Sequence, residues 1–209
     1  MVNRIKKVVK SGATRERRKI IVVGTEGKNK TEEQYFRSLE KFQKKYHFIF
    51  AGGNDTDPVK IVRNTIKKAK DEDLSFEHGD MAISVFDLDL SHIKEEQVNR
   101  ASELSKAKGV CLITSNPCFE IWFLEHFAYT SRPFASNDEL IRELKKYMPG
   151  YSKNSDVSGV LHPMTAVAVE NCKKLDKYHM ENKSGKLSLF CNPRTDVYKI
   201  VEMIIKERG

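Results

Sequence analysis

The chain has 209 residues, 39% hydrophobic and 32% charged, a balance that suits one α/β domain with a modest core and excludes fibrous or low-complexity architectures. No apolar run approaches the roughly 18 residues of a membrane span, and no apolar stretch of signal-peptide length follows the basic N-terminus, so no membrane association and a cytoplasmic location are expected. The formal charge of +8 is concentrated: residues 1–19 hold eight Lys/Arg and one acid, Glu16, while the remaining chain carries 29 basic and 28 acidic residues.

Residues 1–18 therefore read as a basic, flexible arm, either following nucleic-acid phosphates or simply solvated, ahead of a single domain over 19–209. Four short apolar, β-branched runs follow at 19–24, 47–52, 81–87 and 109–114. They are continuous rather than alternating, as strands buried on both faces should be. Helices are expected after each, over 31–46, 58–71, 94–108 and 117–127. Thr31 and Gln34 have the spacing of a capping box. Asp57-Pro58 and Asn116-Pro117 each put a capping residue before a proline suited to the first helical position. The alternating order predicts about four mainly parallel strands with helices on both faces. The last third reads as helical, over 137–148, 163–180 and 192–207, with a polar loop at 149–162. Four cysteines, Cys111, Cys118, Cys172 and Cys191, form no Cys-x-x-Cys pair, which argues against a zinc ribbon or redox motif.

Open parallel sheets bind ligands beyond the carboxyl ends of their strands. Polar residues, mostly acids, fall at that edge after every predicted strand. Glu26 lies between Gly24 and Gly27, glycines that would allow a sharp bend and a close approach to phosphate. Asn54, Asp55 and Asp57 follow the second strand, with Asp57 explained as a helix cap. Asp87 and Asp89 end the third, and Glu120 follows the fourth. An Asp-x-Asp at a strand end is open to three readings: a turn, a phosphatase nucleophile or a metal clamp. On an extended backbone the two carboxylates share a face, where they repel unless a cation joins them. Glu32 and Glu33 read as first-turn acids favouring the helix dipole. Glu125 and His126 read as residues at the edge of packing.

Gly-Thr-Glu26-Gly, then Lys30-Thr31-Glu32 and Tyr35-Phe36, then Phe-Asp87-Leu-Asp89, resembles the TOPRIM signature. More closely, the chain is similar to RloB-like proteins, through Ser115-Asn-Pro-Cys-Phe-Glu120-Ile-Trp-Phe-Leu-Glu-His-Phe127, Tyr151-Ser-Lys153-Asn and Asn192-Pro-Arg-Thr-Asp-Val197. The loop Glu26-Gly-Lys-Asn-Lys-Thr-Glu32 is one residue longer than the family's usual Glu-Gly-x-Lys-Thr-Glu. The resemblance implies a TOPRIM-like fold and Mg²⁺- or Mn²⁺-dependent phosphodiester chemistry on RNA or DNA, in a phage-defence setting where a partner ATPase is plausible. It implies Glu26 as acid/base or metal ligand and Asp87 and Asp89 as ligands. Glu120 is a further ligand by the same analogy, and Lys30, Lys153 and Arg194 would meet substrate phosphates.

Two rival readings stand beside it. Val-Phe-Asp87-Leu-Asp89 with Leu112-Ile-Thr-Ser115-Asn also resembles a haloacid-dehalogenase-type phosphatase, with Asp87 as nucleophile. The other is a non-catalytic nucleic-acid-binding adaptor on a decayed TOPRIM fold, which should have lost its acids, whereas Glu26, Asp87 and Asp89 are all present. Nothing in the sequence reads a base or a 2′-hydroxyl, and oligomeric state is open.

Overall fold

A computed structural model describes residues 17–27, 30–89, 94–153, 155–182 and 188–207. All but the last two residues of the predicted basic arm lie outside them. Strands β1 (Lys19–Gly24), β2 (Tyr46–Phe50), β3 (Met81–Asp87) and β4 (Val110–Asn116) alternate with helices α1 (Thr31–Leu39), α2 (Pro58–Asp71), α3 (Glu95–Lys108) and α4 (Glu120–Leu124). Helices α5 (Asn137–Leu144), α6 (Ser158–Leu161), α7 (Thr165–Asn182) and α8 (Val197–Lys206) make up the last third, with a two-residue strand β5 (Arg194–Thr195) before α8. The sheet order is β2-β1-β3-β4-β5, parallel except for the antiparallel β4–β5 pair. The expected mixed α/β class, with a helical C-terminal third, is the observed one.

The side chains of the sheet sort by the period of two. Ile21, Val23, Ile83, Val85 and Ile113 enter the larger core with residues of α1, α4, α7 and α8. Ala82 and Phe86 face the other way, toward residues of α2 and α3. Rings of α1 and α4 interlock in the larger core: Tyr35 meets Phe119 and Phe123 edge-on or tilted at 5.7 Å.

Several expected boundaries move. Helix α1 ends at Leu39 because the chain turns to enter β2. Buried Gln43 clasps Tyr46, accepting from its amide at 2.7 Å and donating to its carbonyl at 3.0 Å. Glu40 accepts from the Phe48 amide at 2.7 Å. Neither Asn-Pro pair opens a helix: both bonds are cis, and α4 and α8 begin only at Glu120 and Val197. Strand β4 runs through Asn116, consistent with the bias of a residue before proline toward extended backbone. Strand β5 gives almost no sequence signal, being two residues long.

The other N-terminal signals divide. Asp57 caps α2 as read, accepting from the Lys60 amide at 3.0 Å. Thr31 makes no capping box; it is the first helical residue, and its hydroxyl donates to the Lys153 carbonyl at 2.7 Å. Arg17 and Arg18, assigned by sequence to the arm, belong to the fold. Arg17 pairs with buried Asp80 at 2.9 Å, and Arg18 with Glu40 at 3.0 Å.

Candidate active site: an acidic cluster at the sheet's switch point

Strand β1 pairs with β2 on one side and β3 on the other, so the chain reverses its direction of winding between β1 and β3. Crevices at such a switch point are where open α/β sheets bind ligands. Glu26 leaves the end of β1 there, and its Oε1 accepts a hydrogen bond from the Asp87 amide at 3.2 Å, at the end of β3. In the first turn of α1, Glu32 turns inward and is 3% exposed. Glu120 opens α4, is 2% exposed, and accepts from the Tyr151 hydroxyl at 2.9 Å. Lys153 follows on the same loop, half-buried, held through its carbonyl by Thr31.

These groups sense one another. Burial raises the Asp87 carboxyl well above the usual range, and the charges of Glu32, Glu26 and Glu120 raise it further. Burial pushes Glu32 up to about 8, with Glu120 and Glu26 adding to it. Burial also raises Glu26, with the Asp87 amide and Lys153 opposing and Asp89 reinforcing. Burial works against the Lys153 ammonium, but Glu120, Asp87 and Glu32 among its neighbours more than reverse this and hold its pKa above normal. Cys118 is buried in the same field, its thiol raised by burial and by the Glu120 and Asp87 charges.

The cluster is thus Glu26, Glu32, Asp87 and Glu120, facing Lys153. Sequence reading placed Asp89 where Glu32 stands. Strand β3 ends at Asp87, so the alternation that would put Asp89 on the same face stops there. Asp89 instead accepts from the Asn137 side chain at 3.1 Å and acts on the cluster through Glu26. Glu32 was legible in principle. Residues 32, 35, 36 and 39 form an i, i+3, i+4, i+7 stripe that is otherwise Tyr35, Phe36 and Leu39. A carboxylate in an apolar slot is the anomaly that a dipole argument conceals.

Arg194 is corrected outright. Its side chain is 4% exposed and bound to Asp196 at 2.6 Å and Asp176 at 3.4 Å, so it ties β5 to α7 and stands apart from the acidic cluster. It begins strand β5 rather than standing in the first turn of a helix. Lys30 is exposed beside α1, at the rim of the loop that carries Glu26. Gly24 and Gly27 are required by packing. A Cβ on Gly24 would lie 2.0 Å from the Thr65 hydroxyl, and one on Gly27 would lie 2.0 Å from the Gly53 carbonyl. The residues of the phosphatase-type second motif are engaged elsewhere: Thr114 bonds to Asp196 and Ser115 to Thr195. Glu125 and His126 are fully interior rather than at an edge.

Whether this cluster fits a divalent cation has two parts. Its donors are carboxylate oxygens, the set that Mg²⁺ and Mn²⁺ prefer. The Glu32 Oε2 is buried with no hydrogen-bond partner. Among the described residues, however, no three His, Cys, Asp or Glu side chains converge as a ready-made ligand shell. The donor chemistry therefore fits a cation held by few carboxylates, with water and substrate completing its shell, as is usual for Mg²⁺.

Fold and site together define a mixed α/β protein with a desolvated carboxylate cluster and one lysine at the carboxyl edge of its parallel strands. The chain belongs to the RloB-like protein family, whose model matches residues 21–204, a span that includes every member of that cluster. Searches of curated proteins and of solved structures give no match. No helix among the described residues is long and apolar enough to cross a membrane.

Proposed function

We propose that this protein is a divalent-metal-dependent nuclease of the TOPRIM type, hydrolysing phosphodiester bonds of RNA or DNA in prokaryotic phage defence. The observation that carries the proposal is the gathering of Glu26, Glu32, Asp87 and Glu120 at the switch point, where their charges raise one another's carboxyls and a bound cation would relieve the repulsion. Two of Glu26, Glu32, Asp87 and Glu120 would hold it, with water and substrate completing its shell and Asp89 at the rim. When bound, Mg²⁺ supplies Lewis-acid polarisation of the phosphoryl oxygens and an activated water.

The chain's own residues supply the rest. Lys153 sets a positive charge opposite the acids, suited to a non-bridging phosphate oxygen. Thr31 and Tyr151 fix the loop that carries Lys153 to α1 and α4. Glu26, with its carboxyl raised above the usual range, is placed to hold and return a proton. The sequence contains no Gly-x-x-x-x-Gly-Lys-Ser/Thr loop, so any control by ATP would come from a partner ATPase.

The test is cleavage of total RNA, tRNA and plasmid by the purified protein with Mn²⁺ or Mg²⁺. Glu26→Gln and Asp87→Asn are each expected to lower cleavage by at least about a hundredfold, with the thermal melt retained. Cleavage unchanged in either variant refutes the assignment. Binding of nucleic acid by the wild type without cleavage, alone and with its partner, replaces it with a non-catalytic adaptor.

A further inference from the structure

The opposite edge of the sheet holds a second concavity. Helices α2 and α3 end there, and strands β3 and β4 begin. Between them lies a cleft of about 360 Å³, within the size range of small-molecule sites. Its floor is apolar, built by Ile66 and Leu74 against Ala82 and Val110 at the strand starts. Phe76 forms one wall and is 52% exposed, which leaves its ring open to the cleft. The strand from Ala82 to Asp87 puts this cleft about 17 Å from the acidic cluster.

The rim gives the cleft its polarity. Lys70 and Lys108, in the last turns of α2 and α3, both line it. Among the described residues neither has an ion-pair partner, although Lys68 two residues earlier is paired with Glu72. Asp73 is the third charged lining residue, on backbone with φ of 47°. The rim therefore carries one positive charge in excess, over an apolar floor.

We propose that this cleft binds a small amphipathic organic anion, with an aromatic or branched apolar body on the floor and Phe76, and one carboxylate, sulfonate or phosphate between Lys70 and Lys108. A floor without polar groups takes the apolar body, and two ammonium groups at one mouth, unpaired among the described residues, set the sign of the head group. The site is separate from the acidic cluster and does not depend on the nuclease reading.

Two dyes of similar shape test this, 8-anilinonaphthalene-1-sulfonate and the uncharged N-phenyl-1-naphthylamine, each titrated by fluorescence and calorimetry. The expected result is saturable binding of the sulfonate at one site per chain. Lys70→Met/Lys108→Met keeps the apolar stems and should weaken the sulfonate at least tenfold while leaving the uncharged dye unchanged. Phe76→Ser, at an exposed position, should weaken both. Absence of saturable sulfonate binding, or affinity unchanged in both variants, overturns the proposal. So does equal weakening of the two dyes by the lysine substitutions, which would mean the charges do not select the ligand.

Discussion

Glu125 and His126 stand next to each other in sequence, and both are interior. Neither Glu125 carboxylate oxygen has a partner at hydrogen-bonding geometry, and burial pushes the group up to about 8, the Thr130 amide offsetting only part of this. Burial lowers His126 to about 4, although it stays bonded to the Trp122 carbonyl at 2.8 Å. Between pH 4.5 and 8 the folded chain keeps a proton on Glu125 that the unfolded chain has released, so stability falls as pH rises. Between pH 4 and 6.5 the unfolded chain binds a proton on His126 that the folded chain refuses, so stability rises with pH. The two cancel where they overlap, leaving the Glu125 loss from about pH 6.5 to 8 at about 1.4 kcal/mol per pH unit. Glu32, raised to about 8, adds a loss of the same sign. In divalent-free buffer the melting temperature should fall across this range, and Glu125→Gln should make the slope shallower without abolishing it, since Asp87 and Glu26 are raised as well. A slope unchanged in that variant would refute the assignment. At this scale sequence reading located Glu26, Asp87 and Glu120, because each ends or follows a legible strand. It missed Glu32, because the inward turn of a first-turn acid is set by tertiary packing.

Among the elements, the loop after α5 matters most for the site. It is fastened at three points: Tyr151 to Glu120, the Lys153 carbonyl to Thr31, and Asp156 to Lys41 at 2.8 Å. Tyr151→Phe keeps the ring, which meets Phe123 edge-on at 5.9 Å, and removes only the hydroxyl. Glu120 Oε1 then loses its donor in a buried setting, a loss of about 1–3 kcal/mol in urea unfolding. No change in unfolding free energy would mean that water replaces the hydroxyl. The elements themselves were unevenly legible. β1 and β3 match their expected ranges residue for residue, since a continuous apolar run bounded by polar residues leaves little freedom. α1 and α4 came out shorter, because what ends them is Gln43 clasping Tyr46 and the packing of the chain after Leu124, contacts that no local pattern encodes.

For the whole molecule, the charge map separates functions that composition merges. Arg17 and Arg18 anchor the start of β1, so the basic segment available to a ligand is shorter than the sequence implied. Residues 1–16 contain five Lys/Arg. Deleting residues 1–16, rather than 1–18, should leave the melt unchanged while weakening single-stranded RNA binding. The slope of log affinity against log salt should fall by about three, from loss of counterion release. Equal slopes with and without the segment would show that it does not touch phosphates. The topology was legible as β-α repeats with acids gathered at the carboxyl edge. The antiparallel closure by β5 was not, because it depends on Arg194 and Asp196 meeting Asp176 and Thr114 across the fold.

The clasp at β2 has a consequence for how copies of this chain behave toward one another. β2 is the outer strand of the sheet, and an outer strand ordinarily offers its amides and carbonyls to any extended chain that drifts past. Here Gln43 occupies the amide and carbonyl of Tyr46, Arg18 also donates to that carbonyl, and Glu40 occupies the amide of Phe48. A visiting strand would have to displace three side chains to bond at Tyr46 and at the Phe48 amide. The fold thus insulates its own border against runaway stacking, with residues whose sequence positions suggest nothing more than a polar turn.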